Sequence, residues 1–438
     1  MIAFLTIALL VTPNAASAPL DAVSHSQLDG DLRCRLGVYA LPGGRSITIT
    51  GAAGKPRGLQ YALSSSQFGT LQETPSGSYA AGTLVIQFGA CSDKMLTLAQ
   101  GKVTEQAVRL RLVETETTFS SDGISMHGKL VLPLGGRATS IAVWIEGSNN
   151  DPSTDDCVWQ YELARRGIAA FVYDKRGTGS SAGALSSDFY ARARDSAAAV
   201  EEARRLAPNV RRVGVIGGSQ GGWVAPLVAT LTPLDFIVPV FATAESPIAQ
   251  DRELVELQLQ QAGFDGAALM EARELTSITE RIVRSNMREG FEQLDAFKAK
   301  YADASWVKSV QPRSYTGLFL KFSTADLKAN GPALAQGLSF EYEPRPVIET
   351  VKPRQLWLLG GNDHQAPNVE TQAILRQIQV RRPDIAVVVF PRAGHGLIER
   401  TTTADGVATH YSARLFDVAV DWIKDRKLPA AKPFIVMP

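Results

Sequence analysis

Cysteine and histidine are scarce. The 438 residues hold three Cys and five His, too few and too scattered for a Cys-rich zinc scaffold. Neither sign of charge is in excess: 45 Lys and Arg stand against 44 Asp and Glu, a net charge of +1. A nucleic-acid binder needs a basic face to neutralise phosphates, so that class is excluded. Disorder is excluded as well, because 45% of the residues are hydrophobic and the net charge is close to zero. Long apolar runs are also missing. The run Ile2 to Val11 falls short of the roughly 18 residues that span a bilayer and has the length of a secretory signal core. Pro13 and Asn14 break it, and Ala15-Ala16-Ser17-Ala18 offers a cleavage site, although no Lys or Arg precedes the run. The expectation is a signal peptide over residues 1–18, a secreted or periplasmic location, no stable membrane insertion, and a globular enzyme large enough for two or three domains.

Past the signal the texture changes twice. Residues 22–112 are rich in Gly, Ser and Thr, with short alternating runs such as Arg45 to Thr50 and Gly82 to Gln87 between turn clusters; this predicts a small β-rich N-terminal domain. Cys34 and Cys91 both lie in it. A bridge between them would close a loop worth about 4 kcal/mol, and two buried thiols are the alternative. From 113 onward strands and helices alternate. Ile124 to Leu132, Ile141 to Ile145, Ile168 to Tyr173, Val213 to Ile216, Phe236 to Phe241, Gln355 to Leu359 and Ile385 to Phe390 read as strands. Continuous apolar strands separated by helices predict an α/β fold with a mostly parallel sheet covered on both faces. Residues 246–350 are helical and strand-poor, too long for a loop, and read as a helical cap inserted between the two parts of the core, 113–245 and 351–438. A last amphipathic helix is expected near Tyr411 to Lys424.

The pattern G-x-S-x-G occurs twice, at Gly179 to Gly183 and at Gly217 to Gly221, where chance alone would give about 0.2 matches. Context separates them. Arg212 to Ile216 is a strand running straight into Gly217-Gly218-Ser219-Gln220-Gly221, and a helix follows at once, as a strained nucleophile turn requires. Ser181 lies seven residues beyond its strand in a Gly-rich loop and reads as structural. A serine hydroxyl needs a base, and the base an orienting carboxylate. Asp363 follows the strand Gln355 to Leu359, and His395, flanked by glycines, follows the strand Ile385 to Phe390; both fall at the carboxyl ends of strands, where α/β sheets place their sites. His25 and His127 precede the sheet, His410 is expected to open a helix, and His364, beside the acid, is the one competitor. The candidate oxyanion donors are the N–H of Gln220 and that of Ser148, in the loop Glu146 to Asn150. Asp151, Asp155 and Asp156 lack the spacing of a metal site and read as a solvated loop; no metal and no cofactor are expected.

Together Tyr173-Asp-Lys-Arg-Gly-Thr-Gly-Ser-Ser181, the GGSQGG turn, Gly361-Asn-Asp363 and Ala393-Gly-His-Gly396 resemble the α/β-hydrolase superfamily over residues 115–426, most closely its secreted bacterial carboxylesterase and serine-aminopeptidase-like branch. The resemblance implies a cofactor-free serine hydrolase with Ser219, Asp363 and His395 as its triad, acting on a small-molecule ester. Short peptides or acetyl groups are the alternative substrates, and a non-catalytic binding protein on the same scaffold is a third reading. Two departures stand out: the oxyanion loop reads Glu-Gly-Ser-Asn where relatives have His-Gly, and the acid is followed by His364. A cap carboxylate that captures a substrate amino terminus would favour a peptidase, with Glu253, Glu256 and Glu271 as candidates. Trp306, Tyr315, Phe319, Phe322 and Phe340 of the cap either line an acyl pocket or form the cap's own core.

Overall fold

In the computed structural model of the chain, residues 28–425 and 435–437 are described, apart from positions 53, 65–66, 336 and 404–405. The expected signal peptide lies outside the described residues. Eight antiparallel strands, β1 (Gly37–Ala40), β2 (Ser46–Ala52), β3 (Lys55–Leu63), β4 (Gln67–Glu73), β5 (Tyr79–Ala81), β6 (Leu84–Phe88), β7 (Met95–Gln100) and β8 (Val103–Arg109), close into a barrel by pairing β1 with β8. Alternation explains the closure. In β6 the residues Leu84, Ile86 and Phe88 point inward while Val85 and Gln87 face solvent, and Ile47, Ile49, Leu59, Leu71 and Leu98 fill the same interior. Cys34 and Cys91 are joined by a disulfide, with Cα atoms 5.7 Å apart.

The second sheet has nine strands. A tight Asp122-Gly123 turn, both residues in the left-handed region (φ 49° and 78°), joins β9 (Val113–Ser121) to β10 (Ile124–Leu132), as two-residue hairpins require. The parallel centre comprises β11 (Ser140–Ile145), β12 (Ala169–Tyr173), β13 (Arg212–Gly218), β14 (Phe236–Val240), β15 (Arg354–Gly360) and β16 (Ile385–Phe390). From β11 the chain moves to β12 on one side and then crosses to β13 on the other. That reversal opens a crevice at the carboxyl ends of β11 and β13, the place where such sheets bind ligands. A hairpin, β17 (Ile398–Thr403) and β18 (Gly406–Tyr411), precedes the last helix, Leu415–Ile423, and β19 (Ile435–Met437) pairs antiparallel with β16.

Two expectations are corrected here. His410 lies in β18, not at a helix start, because the β-branched stretch from Ile398 to Thr409 pairs as a hairpin; the last helix begins at Leu415. The acidic loop is not solvated. Asp155 is buried and ion-paired with Arg33 at 3.3 Å, and Gly51 of β2 approaches the Asp155 backbone closely. Burial also raises the Asp151 and Asp156 carboxyls above the usual range. The barrel is therefore seated on this segment, and both faces of β2 are buried.

Of the two alternatives for the cap aromatics, the cap's own core is the one observed. Trp306, Tyr315, Phe319 and Phe340 are buried in the cap's own core, with Phe322 packed against it, and they contribute nothing to the cavity described below. The cap helices include Pro247–Gln261, Gly266–Arg284, Phe291–Lys300 and Tyr315–Lys321. Among the described residues no helix is long and apolar enough to cross a membrane.

Candidate active site

The turn after β13 holds Ser219 at φ 53°, a conformation that a side-chain-bearing residue adopts only when its surroundings enforce it. Those surroundings are two close backbone approaches. A Cβ on Gly217 would sit 2.2 Å from the Gly221 carbonyl, and one on Gly221 would sit 2.3 Å from that of Ile145, so only glycine fits either place. The Ser219 N–H donates to Val240 O at 3.0 Å, and the buried helix Gly221–Val228 starts immediately.

Ser219, His395 and Asp363 come together from three loops. Ser219 Oγ lies 3.1 Å from His395 Nε2, and His395 Nδ1 lies 2.9 Å from Asp363 Oδ2. Asp363 is itself fixed: its Oδ1 accepts from the N–H groups of Gln365 and Ala366, both at 2.9 Å. The ring of Phe241, a residue at φ 42°, stands edge-on to His395 at 5.1 Å. His364 turns away, with Nε2 2.8 Å from Asn362 Oδ1, and is exposed. Ser181 is engaged in the turn that holds it: its hydroxyl donates to Asp174 O at 2.6 Å and accepts from the His127 N–H at 2.9 Å.

A cavity of about 280 Å³ opens over the serine. The core side is lined by Ser148, Asn149, Ser219, Gln220, Trp223 and His395, and the cap side by Gln250, Asp251, Leu254, Arg313 and Ser314. Gly147 brings the loop Glu146 to Asn150 against Ser219; a Cβ placed on it would lie 3.9 Å from Ser219 Oγ. Glu253, Glu256 and Glu271 are not in this cavity. Glu253 accepts from the N–H groups of Val369 and Glu370, Glu256 pairs with Arg273, and Glu271 accepts from the Trp306 indole. The cap carboxylate in the wall is Asp251. Thr316 donates to it through both its N–H and its hydroxyl, and burial pushes the carboxyl up to about 7.

Sequence reasoning passed over Asp251, Phe241 and two buried cations, Lys175 and Arg192. The first cation stands inside the Asp-Lys-Arg-Gly motif. The second sits among alanines on the buried face of the helix Phe189–Leu206, where a charged residue flanked by Ala191 and Ala193 was the available signal. Among the described residues no group of three or more His, Cys, Asp or Glu is arranged to hold a metal ion.

The sequence profile of the Alpha/beta hydrolase family matches residues 147–409, and a search of curated protein sequences finds no match. Among solved structures the chain is similar to an esterase from Pyrococcus furiosus (14% identity, 65% of this chain and 84% of that one, TM-score 0.42). It is also similar to Est1E from Butyrivibrio proteoclasticus, solved with ferulic acid bound (16%, 70% and 96%, TM-score 0.42). A third is an acylaminoacyl peptidase from Pyrococcus horikoshii (12%, 86% and 55%, TM-score 0.45).

Proposed function

Because the chain belongs to the alpha/beta hydrolase family, we propose that it is a serine hydrolase that cleaves small carboxylic esters through an acyl-enzyme on Ser219. The observation that carries this reading is the unbroken line from Asp363 Oδ2 through His395 to Ser219 Oγ, with contacts of 2.9 and 3.1 Å, at a serine held in the left-handed region.

The chemistry follows from the geometry. His395 Nε2 takes the Ser219 proton as Oγ attacks the ester carbonyl carbon, and Asp363 holds the ring in place and stabilises the imidazolium that forms. The oxyanion is met by the N–H groups of Gln220 and Ser148. Collapse of the tetrahedral intermediate breaks the bond to the alcohol oxygen, which leaves with the proton from His395. Water activated by the same imidazole then attacks the acyl-enzyme, and the acid product and free Ser219 hydroxyl result. A cavity of about 280 Å³ suits a short acyl chain. Esters are favoured over peptides because the cap carboxylate in the wall, Asp251, is already engaged by Thr316 and pushed toward its neutral form, a poor anchor for a substrate ammonium group. Export fits the apolar run Ile2 to Val11 and the Cys34–Cys91 disulfide.

A fluorophosphonate probe tests the assignment. It is expected to label the folded protein on Ser219 and to leave Ser219→Ala unlabelled; an unlabelled parent protein sinks the reading. Rates on p-nitrophenyl acetate and butyrate are expected to exceed those on aminoacyl p-nitroanilides by at least about 100-fold, and the reverse order would make the enzyme a peptidase. Recovery of the protein outside the cytoplasm, with a mass lacking the first 16 to 18 residues, would check export.

A further inference from the structure

Lys175 and Arg192 are nine-tenths or more buried, and their hydrogen bonds run to carbonyl oxygens instead of carboxylates. Lys175 Nζ donates to Gly147 O at 2.9 Å and to Asn149 O. Arg192 donates to Gly147 O at 3.2 Å, to Glu146 O and to the Gln220 side-chain Oε1. The two cations therefore converge on one acceptor, the carbonyl of Gly147. Burying charges in this way is expensive. It pushes the Lys175 ammonium down to about 7, with the Arg192 charge adding to the effect and Glu146, Asp151 and Asp156 opposing it.

The Gly147 carbonyl belongs to the same planar peptide unit as the Ser148 N–H. In a trans peptide the two point in opposite directions, so whatever fixes the oxygen on one side aims the hydrogen on the other. Gly147 abuts Ser219, and Ser148 lines the cavity in front of it. Resting on the triad reading above, we infer that Lys175 and Arg192 are positioning residues for the oxyanion hole: they clamp the Gly147 carbonyl so that the Ser148 N–H faces the reacting carbonyl oxygen. The Arg192 guanidinium, a charged donor on the carbonyl, also polarises the peptide and strengthens its N–H as a donor, which a neutral partner would do less well. Arg192 extends the clamp to the other half of the hole. By holding the Gln220 side chain it ties the residue whose N–H is the first donor to the loop that supplies the second.

The experiment compares four proteins: the parent, Lys175→Met, Arg192→Met and Arg192→Lys. Each is measured for kcat and KM on p-nitrophenyl acetate and for the inhibition constant of an aryl trifluoromethyl ketone, which adds to the serine and places an oxyanion in the hole. Removing a whole oxyanion donor lowers kcat about 100- to 1,000-fold. Misaiming one is expected to lower kcat about 10- to 100-fold for the Met variants and less for Arg192→Lys, with KM within about threefold. The ketone inhibition constant should rise by the same factor as kcat/KM falls, variant by variant, because both report oxyanion binding.

A fall in kcat with an unmoved ketone constant, or no fall at all, overturns the inference. If the Met variants do not fold, as judged by circular dichroism, Arg192→Lys carries the same paired comparison. Failure of the triad reading would look different: the parent itself would neither hydrolyse the ester nor form a fluorophosphonate adduct.

Discussion

Ser219 has to hold a backbone conformation that costs a non-glycine residue about 1–3 kcal/mol, and neighbouring backbone enforces it only because Gly217 and Gly221 carry no side chain. The strain has a use, since it lifts Oγ out of the strand line toward His395. Gly217→Ala would bring a methyl to within 2.2 Å of the Gly221 carbonyl and 3.0 Å of Ala225 Cβ. Backbone would have to move, so a loss of about 2–4 kcal/mol in urea unfolding is expected, together with slower fluorophosphonate labelling. Retention of parental stability and labelling would show that the turn tolerates a side chain there. Ser148→Ala is the complementary case: the proposed donor is the peptide N–H, which alanine keeps, so kcat/KM on p-nitrophenyl acetate is expected within about threefold of the parent. A loss of 100-fold would transfer the role to the hydroxyl.

Among the elements, the cap helix Pro247–Gln261 is tied to the helix Tyr315–Lys321 through Asp251 and Thr316, and this tie has a pH signature. Burial raises the folded-state carboxyl to about 7, whereas an unfolded aspartate releases its proton near 4. Between those values the folded chain binds more protons than the unfolded one, so this group's contribution to stability falls as pH rises from about 4 to about 7 and is level above that. Asp251→Asn removes the slope. The stability of the variant relative to the parent, from urea unfolding, is therefore expected to improve between pH 5 and pH 7 and then stay constant. A difference that does not change with pH contradicts the assignment.

Elements whose identity depends on local pattern were legible from the chain alone. The parallel strands announce themselves in short apolar runs, and the strand-turn-helix around Ser219 and the loops bearing Asp363 and His395 in such runs followed by glycine. What escaped depends on partners distant in sequence. The Asp151–Asp156 segment looks polar, yet Ser153, Thr154 and Asp155 are buried between a barrel strand on one side and Glu146 and Asp174 on the other. His410 looks like a helix start until β17 pairs with β18. Arg192 shows its role only once its helix sets it beneath the loop Glu146 to Asn150.

For the molecule as a whole, the barrel and the hydrolase sheet share a wall. Thr48 of β2 donates to the buried Glu162 at 2.6 Å, and Arg33 reaches Asp155, on the segment that follows the oxyanion loop. Opening the Cys34–Cys91 bridge with Cys34→Ser is expected to cost about 2–4 kcal/mol, visible as a lower thermal midpoint; an unchanged midpoint would mean that packing alone holds the barrel.

The two ends of the nine-stranded sheet are protected differently. At one end β9 carries Glu116 on an exposed face, a charge that discourages a second chain from adding on. At the other, β19 covers β16, whose Val387, Val388 and Val389 pair with Met437, Val436 and Ile435. Without that short strand the valine-rich β16 would become a bare edge, ready to accept the same segment of a neighbouring chain. β19 thus acts as a guard against fibre-like aggregation, and a protein cut before Ile435 should still be labelled by the fluorophosphonate in dilute solution yet turn turbid when concentrated.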